Sequence, residues 1–116
     1  MKKIIFLVDT SNSKFLIINN NGWELPSLIT TKNIYDEDII CEKYQNKFKH
    51  GIRDITIIEE TTKYIFVKCL LNTKLEDKKQ YKIGVINEIM PLIKNELHYQ
   101  LVFNMSLLIE FEIVDD

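Results

Sequence analysis

Alanine is absent from this chain, arginine occurs once, at Arg53, and cysteine, proline and histidine occur twice each. Each shortage excludes something. Cys41 and Cys69 lie far apart with no CxxC spacing, so neither a zinc site nor a disulfide framework is expected. Both read as reduced, half-buried thiols, the usual state of free cysteine. Neither has a histidine near it in sequence, which leaves a Cys–His nucleophile without local support. The three glycines, Gly22, Gly51 and Gly84, are isolated, so there is no phosphate loop. Long apolar runs are also missing. Ile4 to Val8 stops at Asp9, short of the ~7–15 residues of a signal-peptide core. No run approaches the ~18 residues of a membrane span. The expectation is a cytoplasmic protein with no membrane partner.

Positive charge is not in excess either. The formal net charge is −2, with 15 basic and 17 acidic residues. That gives no long-range attraction to duplex nucleic acid, so no such partner is expected. Only Lys43, Lys47 and Lys49 hint at a local basic patch. With one arginine among 15 basic residues, 14 are lysine (15 − 1). Together with abundant Ile and Asn, this bias points to an AT-rich coding sequence, which bears on origin and not on mechanism.

What remains is an ordinary globular composition, 46% hydrophobic and 28% charged over 116 residues. One domain spanning 1–116 is expected. A chain of this size buries roughly two thirds of the surface it exposes when unfolded. Ile4–Val8 reads as a strand buried on both faces. Phe15–Ile18 reads as its hairpin or close partner, after the turn residues Thr10–Ser13. Asn19–Gly22 breaks that strand, because Asn and Gly tolerate positive φ. Trp23–Pro26 is extended, since Pro26 keeps Leu25 out of the α region. Leu28 and Ile29 form a short strand.

Asp36 is a good N-cap for a helix over about 36–50, with Glu37 and Asp38 in its first turn. Ile40, Tyr44 and Phe48 line one face of it. Lys47, Lys49 and His50 suit its C-terminal end, and Gly51 suits the residue after its cap. Strands follow from Ile52 and over Tyr64–Leu71 and Tyr81–Ile86, with a turn at Glu59–Thr62 and a charged loop at Asn72–Gln80. Asn87 is expected to cap a short helix through Lys94, with Pro91 in its first turn. In the tail, Leu97, Leu101, Met105 and Leu108 favour a helix, against the alternation of Ile109, Phe111 and Ile113.

This order, with Trp23-Glu24-Leu25-Pro26 before the first helix and Gly51-Ile52 after it, resembles the Nudix domain. Tyr81 to Ile93 also resembles that family's late strand and short helix. The resemblance implies an α/β fold, a Nudix-like α/β/α sandwich with a mixed β-sheet. It also implies a function to compare against: hydrolysis of nucleoside diphosphates linked to another moiety, with divalent metal held by glutamates on the first helix. The departures are at those positions. Ser27 and Leu28 stand where the family has two glycines. Counting back from Gly51-Ile52 places Tyr44, Gln45, Asn46, Lys47, Phe48 and Lys49 where an Arg and three glutamates belong. A second register uses Glu42 and Lys43 and still finds no glutamate pair downstream. Hard cations want several oxygen ligands, and a lysine at a ligand position repels them. Hydrolysis by the family mechanism is therefore not expected, and no cofactor is, with Mg²⁺ implied only for a divergent hydrolase. No catalytic or metal-binding residue is assigned.

Other acids have ordinary explanations. Glu59 and Glu60 suit a solvated turn, and Asp36, Glu37 and Asp38 suit a helix start. His50 suits a helix C-terminus and His98 the surface. Tyr64, Phe66, Tyr81, Tyr99 and Phe103 read as core and strand residues. Trp23 and Glu24 are the candidate ligand-binding pair, with the indole able to stack on a nucleobase or simply to pack a loop on the core. The leading expectation is a non-hydrolysing binding or regulatory protein. Its partner is another protein, in an interaction or inhibitory role such as a phage or mobile element encodes. The first alternative is a sensor of nucleotides or their derivatives through Trp23. The second is a divergent hydrolase.

Overall fold

The computed structural model describes residues 2–11, 13–30, 36–72, 74–75 and 79–114, with side chains as far as 107. Its first strand, β1 (Lys2–Ser11), is the axis of the sheet, and Ile4 to Val8 are all buried. Alternate residues go to opposite faces. Ile4, Phe6 and Val8 join one apolar cluster, while Ile5 and Leu7 join another. This explains the unbroken hydrophobic run: both faces of the strand are covered.

β2 (Lys14–Asn19) returns antiparallel, with Asp9 opposite Phe15. Asn21 (φ 56°) and Gly22 (φ 132°) then turn the chain, and the Asn19 side chain accepts from the Gly22 N–H at 3.2 Å. Here positive φ is required, and Asn and Gly supply it. The chain next enters the gap between β1 and β2. β3 (Trp23–Glu24) pairs with β2, and β4 (Ser27–Thr30) pairs with Lys2–Ile5 of β1. Between them the Phe6 N–H donates to the Pro26 carbonyl at 2.9 Å. Trp23–Thr30 is thus a wedge that holds two neighbouring strands apart.

Helix α1 (Glu37–Phe48) begins as expected, with the Asp36 carboxylate accepting from the Asp38 N–H. It ends earlier than expected. Lys49, not Gly51, takes the left-handed conformation (φ 65°), and its N–H donates to the Gln45 carbonyl. Gly51 instead leads into β5 (Ile52–Glu60), its carbonyl accepting from the Asn72 N–H at 2.9 Å. β5 pairs antiparallel with β6 (Tyr64–Leu71), and β6 pairs parallel with β1. Glu59 and Glu60 belong to β5 rather than to the turn, because two register shifts let the strand reach Glu60 opposite Ile65. At the first shift the Ile55 N–H donates to the Glu37 carboxylate at 2.8 Å, so Glu37 satisfies an amide that the irregular ladder leaves out.

β7 (Tyr81–Val85) lies on the far side of β2, giving the order β3-β2-β1-β6-β5 with β4 on β1 and β7 on β2. The charged loop expected at Asn72–Gln80 lies partly outside the described residues, as does Asn12. The short helix differs from expectation. α2 (Ile86–Ile89) follows Val85, with no side-chain cap from Asn87. Pro91 sits at the start of a separate 3-10 turn, Met90–Leu92. Proline has no N–H and clashes with the preceding turn, so α geometry stops before it. The tail is the helix α3 (Glu96–Val114), and the Asn95 side chain accepts from the His98 N–H at its start.

Two layers cover the sheet. Tyr44, with Ile40, Cys41 and Phe48, packs on one face beside Phe6 and Leu16. Ile86, Ile89, Ile93, Leu101 and Val102 pack on the other, around Ile5, Leu7 and Ile17. No helix among the described residues is long and apolar enough to cross a membrane.

Candidate functional site

A cleft of about 570 Å³ opens at the C-terminal end of α1. Small-molecule sites commonly fall at ~300–1,000 Å³. One wall is the end of α1 and its cap: Lys47, Phe48, Lys49 and His50. The facing wall comes from Ile18 and Asn19 at the end of β2, from Asn20 just after it, and from Glu24 and Ser27 of the wedge. Leu75, Gln80 and Tyr81 close the third side.

The aromatic floor is built outward from Tyr44, which has no exposed surface. Its ring lies 4.9 Å from Phe6, 4.6 Å from Phe48 and 5.1 Å from His50, centroid to centroid. His50 in turn is 6.2 Å from Tyr81. The Tyr44 hydroxyl and His50 Nε2 are 2.8 Å apart, and His50 Nδ1 is 3.1 Å from the Phe48 carbonyl. Burial drives both groups neutral: it raises the Tyr44 hydroxyl and lowers the His50 imidazole, the latter partly offset by the Phe48 hydrogen bond. The proton placement follows. Tyr44 donates to Nε2, and Nδ1–H donates to the carbonyl. His50 is therefore not the charged, helix-end residue expected from sequence, since it is only 6% exposed and held neutral. With both ring nitrogens engaged, it has no free lone pair to act as a base.

Lys47 and Lys49 supply the charge. Lys47 Nζ donates to the Ser27 carbonyl at 3.0 Å and lies 5.2 Å from the Phe48 ring centroid, tying α1 to the wedge. Lys49 is exposed at the helix cap. Glu24 is the one carboxylate among the described lining residues, and it accepts from the Asn20 side chain at 3.1 Å. No group of three or more His, Cys, Asp or Glu side chains converges anywhere among the described residues.

Of the two residues singled out in sequence, Glu24 lines this cleft. Trp23 is half-buried on the other side of the sheet, against the α2–α3 layer, and its carbonyl accepts from the Lys94 N–H. Neighbours on a strand point to opposite faces, which separates them. His98 is not a surface residue: it is 2% exposed, and its Nδ1 accepts from the Leu25 N–H at 3.1 Å. Tyr99 and Phe103 are not core but 39% and 37% exposed on α3. Cys69 is buried and its thiol is pushed up to about 12, chiefly by desolvation; burial and then Glu37 and Asp38 also raise Cys41. Neither is an activated thiolate. Sequence reasoning missed Asn19, Asn20, Gln80 and Tyr81 as cleft residues. The three-asparagine run reads only as a strand break, and nothing local says that residue 81 meets residue 50.

No family model matches the chain, and no curated protein matches it in sequence. Among solved structures, a UDP-X diphosphatase superposes over 91% of this chain and 62% of its own length, with TM-score 0.54 and 8% identity. A MutT protein from Methanosarcina mazei Go1 aligns over 89% of both chains, with TM-score 0.49 and 11% identity. This chain spans less than two thirds of the UDP-X diphosphatase chain. Similarity at 8% identity is similarity of fold, and the fold is a Nudix-like α/β/α sandwich with a mixed sheet.

Proposed function

We propose that this domain binds an anionic, nucleotide-like small molecule in the α1 cleft and does not hydrolyse it. The observation that carries the reading is the charge of the cleft wall: among the described lining residues, two ammonium groups, Lys47 and Lys49, stand against the single carboxylate of Glu24. A Mg²⁺ ion needs several oxygen ligands, with carboxylates foremost. This donor set does not fit it, because Glu24 is the one carboxylate among the described lining residues and two lysine ammoniums share the wall and repel a cation. The same lysines suit a phosphate. The half-buried ring of Tyr81 offers a face for a base, and base stacking on an aromatic is worth ~1–3 kcal/mol. The UDP-X diphosphatase of similar fold makes uridine diphosphate compounds the first to test.

Titration calorimetry with UDP and a UDP-sugar in EDTA is expected to show metal-independent binding. Incubation of the same compounds with Mg²⁺ or Mn²⁺ is expected to release no nucleotide product. Turnover abolished by chelator would overturn the non-hydrolysing claim, and absence of heat at millimolar ligand would overturn the cleft claim.

A second reading, an interaction or inhibitory module, rests on a different feature. Tyr99, Phe103 and Leu107 recur every four residues on α3 and are 39%, 37% and 42% exposed. Three large apolar groups on one helix face suit a protein contact. A second copy of the chain is the simplest partner. Sedimentation at rising concentration would support it if Phe103→Glu abolished self-association, and a monomer throughout would count against it.

A further inference from the structure

We infer that Lys49 is kept in its left-handed backbone position for its ammonium, which is the cation that engages the ligand's phosphate. This inference rests on the cleft reading above and assigns its specificity to one residue.

The residue that ends a helix in the left-handed region is usually glycine, because a Cβ is crowded there. This chain ends α1 on a lysine at φ 65°, although Gly51 stands two residues later. The position of the cap is fixed from inside. Tyr44 is buried, and His50 must turn inward to meet its hydroxyl at 2.8 Å. The chain therefore has to reverse at residue 49. Gly51 cannot substitute, since it is committed to the β5–β6 pairing through its bond from Asn72. Geometry dictates the backbone at 49, and by itself it favours Gly or Asn. It gives no reason for a lysine.

The cleft gives one. The C-terminal end of a helix carries roughly half a negative charge. An anion settles there only where full positive charges outweigh it. The α1 carbonyls nearest the cleft are already partly answered, Gln45 by the Lys49 N–H and Phe48 by His50. Lys47 already gives one of its three N–H donors to the Ser27 carbonyl at 3.0 Å, which holds its ammonium at the wedge. Lys49 is different. It lines the cleft, it is exposed, and it takes part in neither ion pair among the described residues, which are Lys2–Glu60 and Arg53–Asp54. Of the two lysines on this wall, it is the one whose ammonium holds no partner among the described residues.

The test sets stability against binding. Lys49→Gly relieves the backbone and removes the charge, while Lys49→Arg keeps the charge. The probes are UDP and inorganic pyrophosphate, measured by calorimetry in EDTA, with thermal unfolding of each variant. The expected result is that Lys49→Gly raises Tm by roughly 2–6 °C and weakens both probes at least tenfold. Lys49→Arg is expected to bind within about threefold of the unaltered protein. Binding by Lys49→Gly within twofold of the unaltered protein would overturn the inference and leave the cleft reading standing. A lowered Tm accompanying lost binding would overturn it too, by making the lysine structural. If the unaltered protein binds neither probe, this inference and the cleft reading both fall.

Discussion

His50 and His98 each hold one tertiary junction in neutral form. His50 joins the α1 cap to Tyr44, and His98 joins the start of α3 to the Leu25 amide. Removing the Tyr44 hydroxyl leaves His50 Nε2 buried without a donor. Tyr44→Phe is expected to cost about 1–3 kcal/mol in urea unfolding, more than the loss of one exposed hydroxyl would. Burial lowers the pKa of both imidazoles below the ordinary 6.5; His98 feels Glu24 and Lys3 in opposite directions as smaller influences. The unfolded chain therefore takes up protons at these sites before the folded chain does. Their contribution to stability is complete above about pH 6.5 and is lost as the pH falls below it. Urea midpoints are expected to hold between pH 8 and 7 and to decline by pH 5.5, and His98→Gln is expected to flatten part of that decline. A midpoint unchanged from pH 7 to 5.5 would contradict the assignment.

Among the elements, the wedge Trp23–Thr30 organises the rest. It separates β2 from the first half of β1, places Leu25 in the α2–α3 core and leaves Glu24 and Ser27 on the cleft wall. Leu25 has no exposed surface, so Leu25→Ala is expected to destabilise by about 2–5 kcal/mol. Because the same segment carries Ser27 to Lys47, that variant should also weaken UDP binding, read by calorimetry at a temperature where it stays folded. The turn before the wedge was legible, since Asn21 and Gly22 are the residues that adopt positive φ. So was the Asp36 cap, a local bond between a carboxylate and an amide two residues on. The end of α1 was not. Gly51 has the right chemistry for a cap, and only the burial of His50 against Tyr44 moves the reversal to Lys49.

Across the whole molecule, two apolar layers enclose the sheet and the cleft opens at its rim, between α1 and the wedge. Lys49 is exposed to solvent, so its attraction for an anion is screened: the Debye length falls from ~10 Å at 0.1 M salt to ~3 Å at 1 M. UDP affinity is expected to fall steadily across that range in calorimetric titrations, and a salt-independent affinity would point to stacking rather than charge.

By itself, the sequence determined the order of strands and helices, because hydrophobic period, caps and turn residues act over a few neighbours. It also determined the resemblance carried by Trp23-Glu24-Leu25-Pro26, and the absence of glutamates at the end of the first helix. Only the tertiary structure decided that Trp23 and Glu24 face opposite layers, that both histidines are buried and neutral, and that two lysines meet Tyr81 and Asn20 across one cleft. Those outcomes depend on which residues distant in the chain displace water from one another, and that is settled when the two cores close.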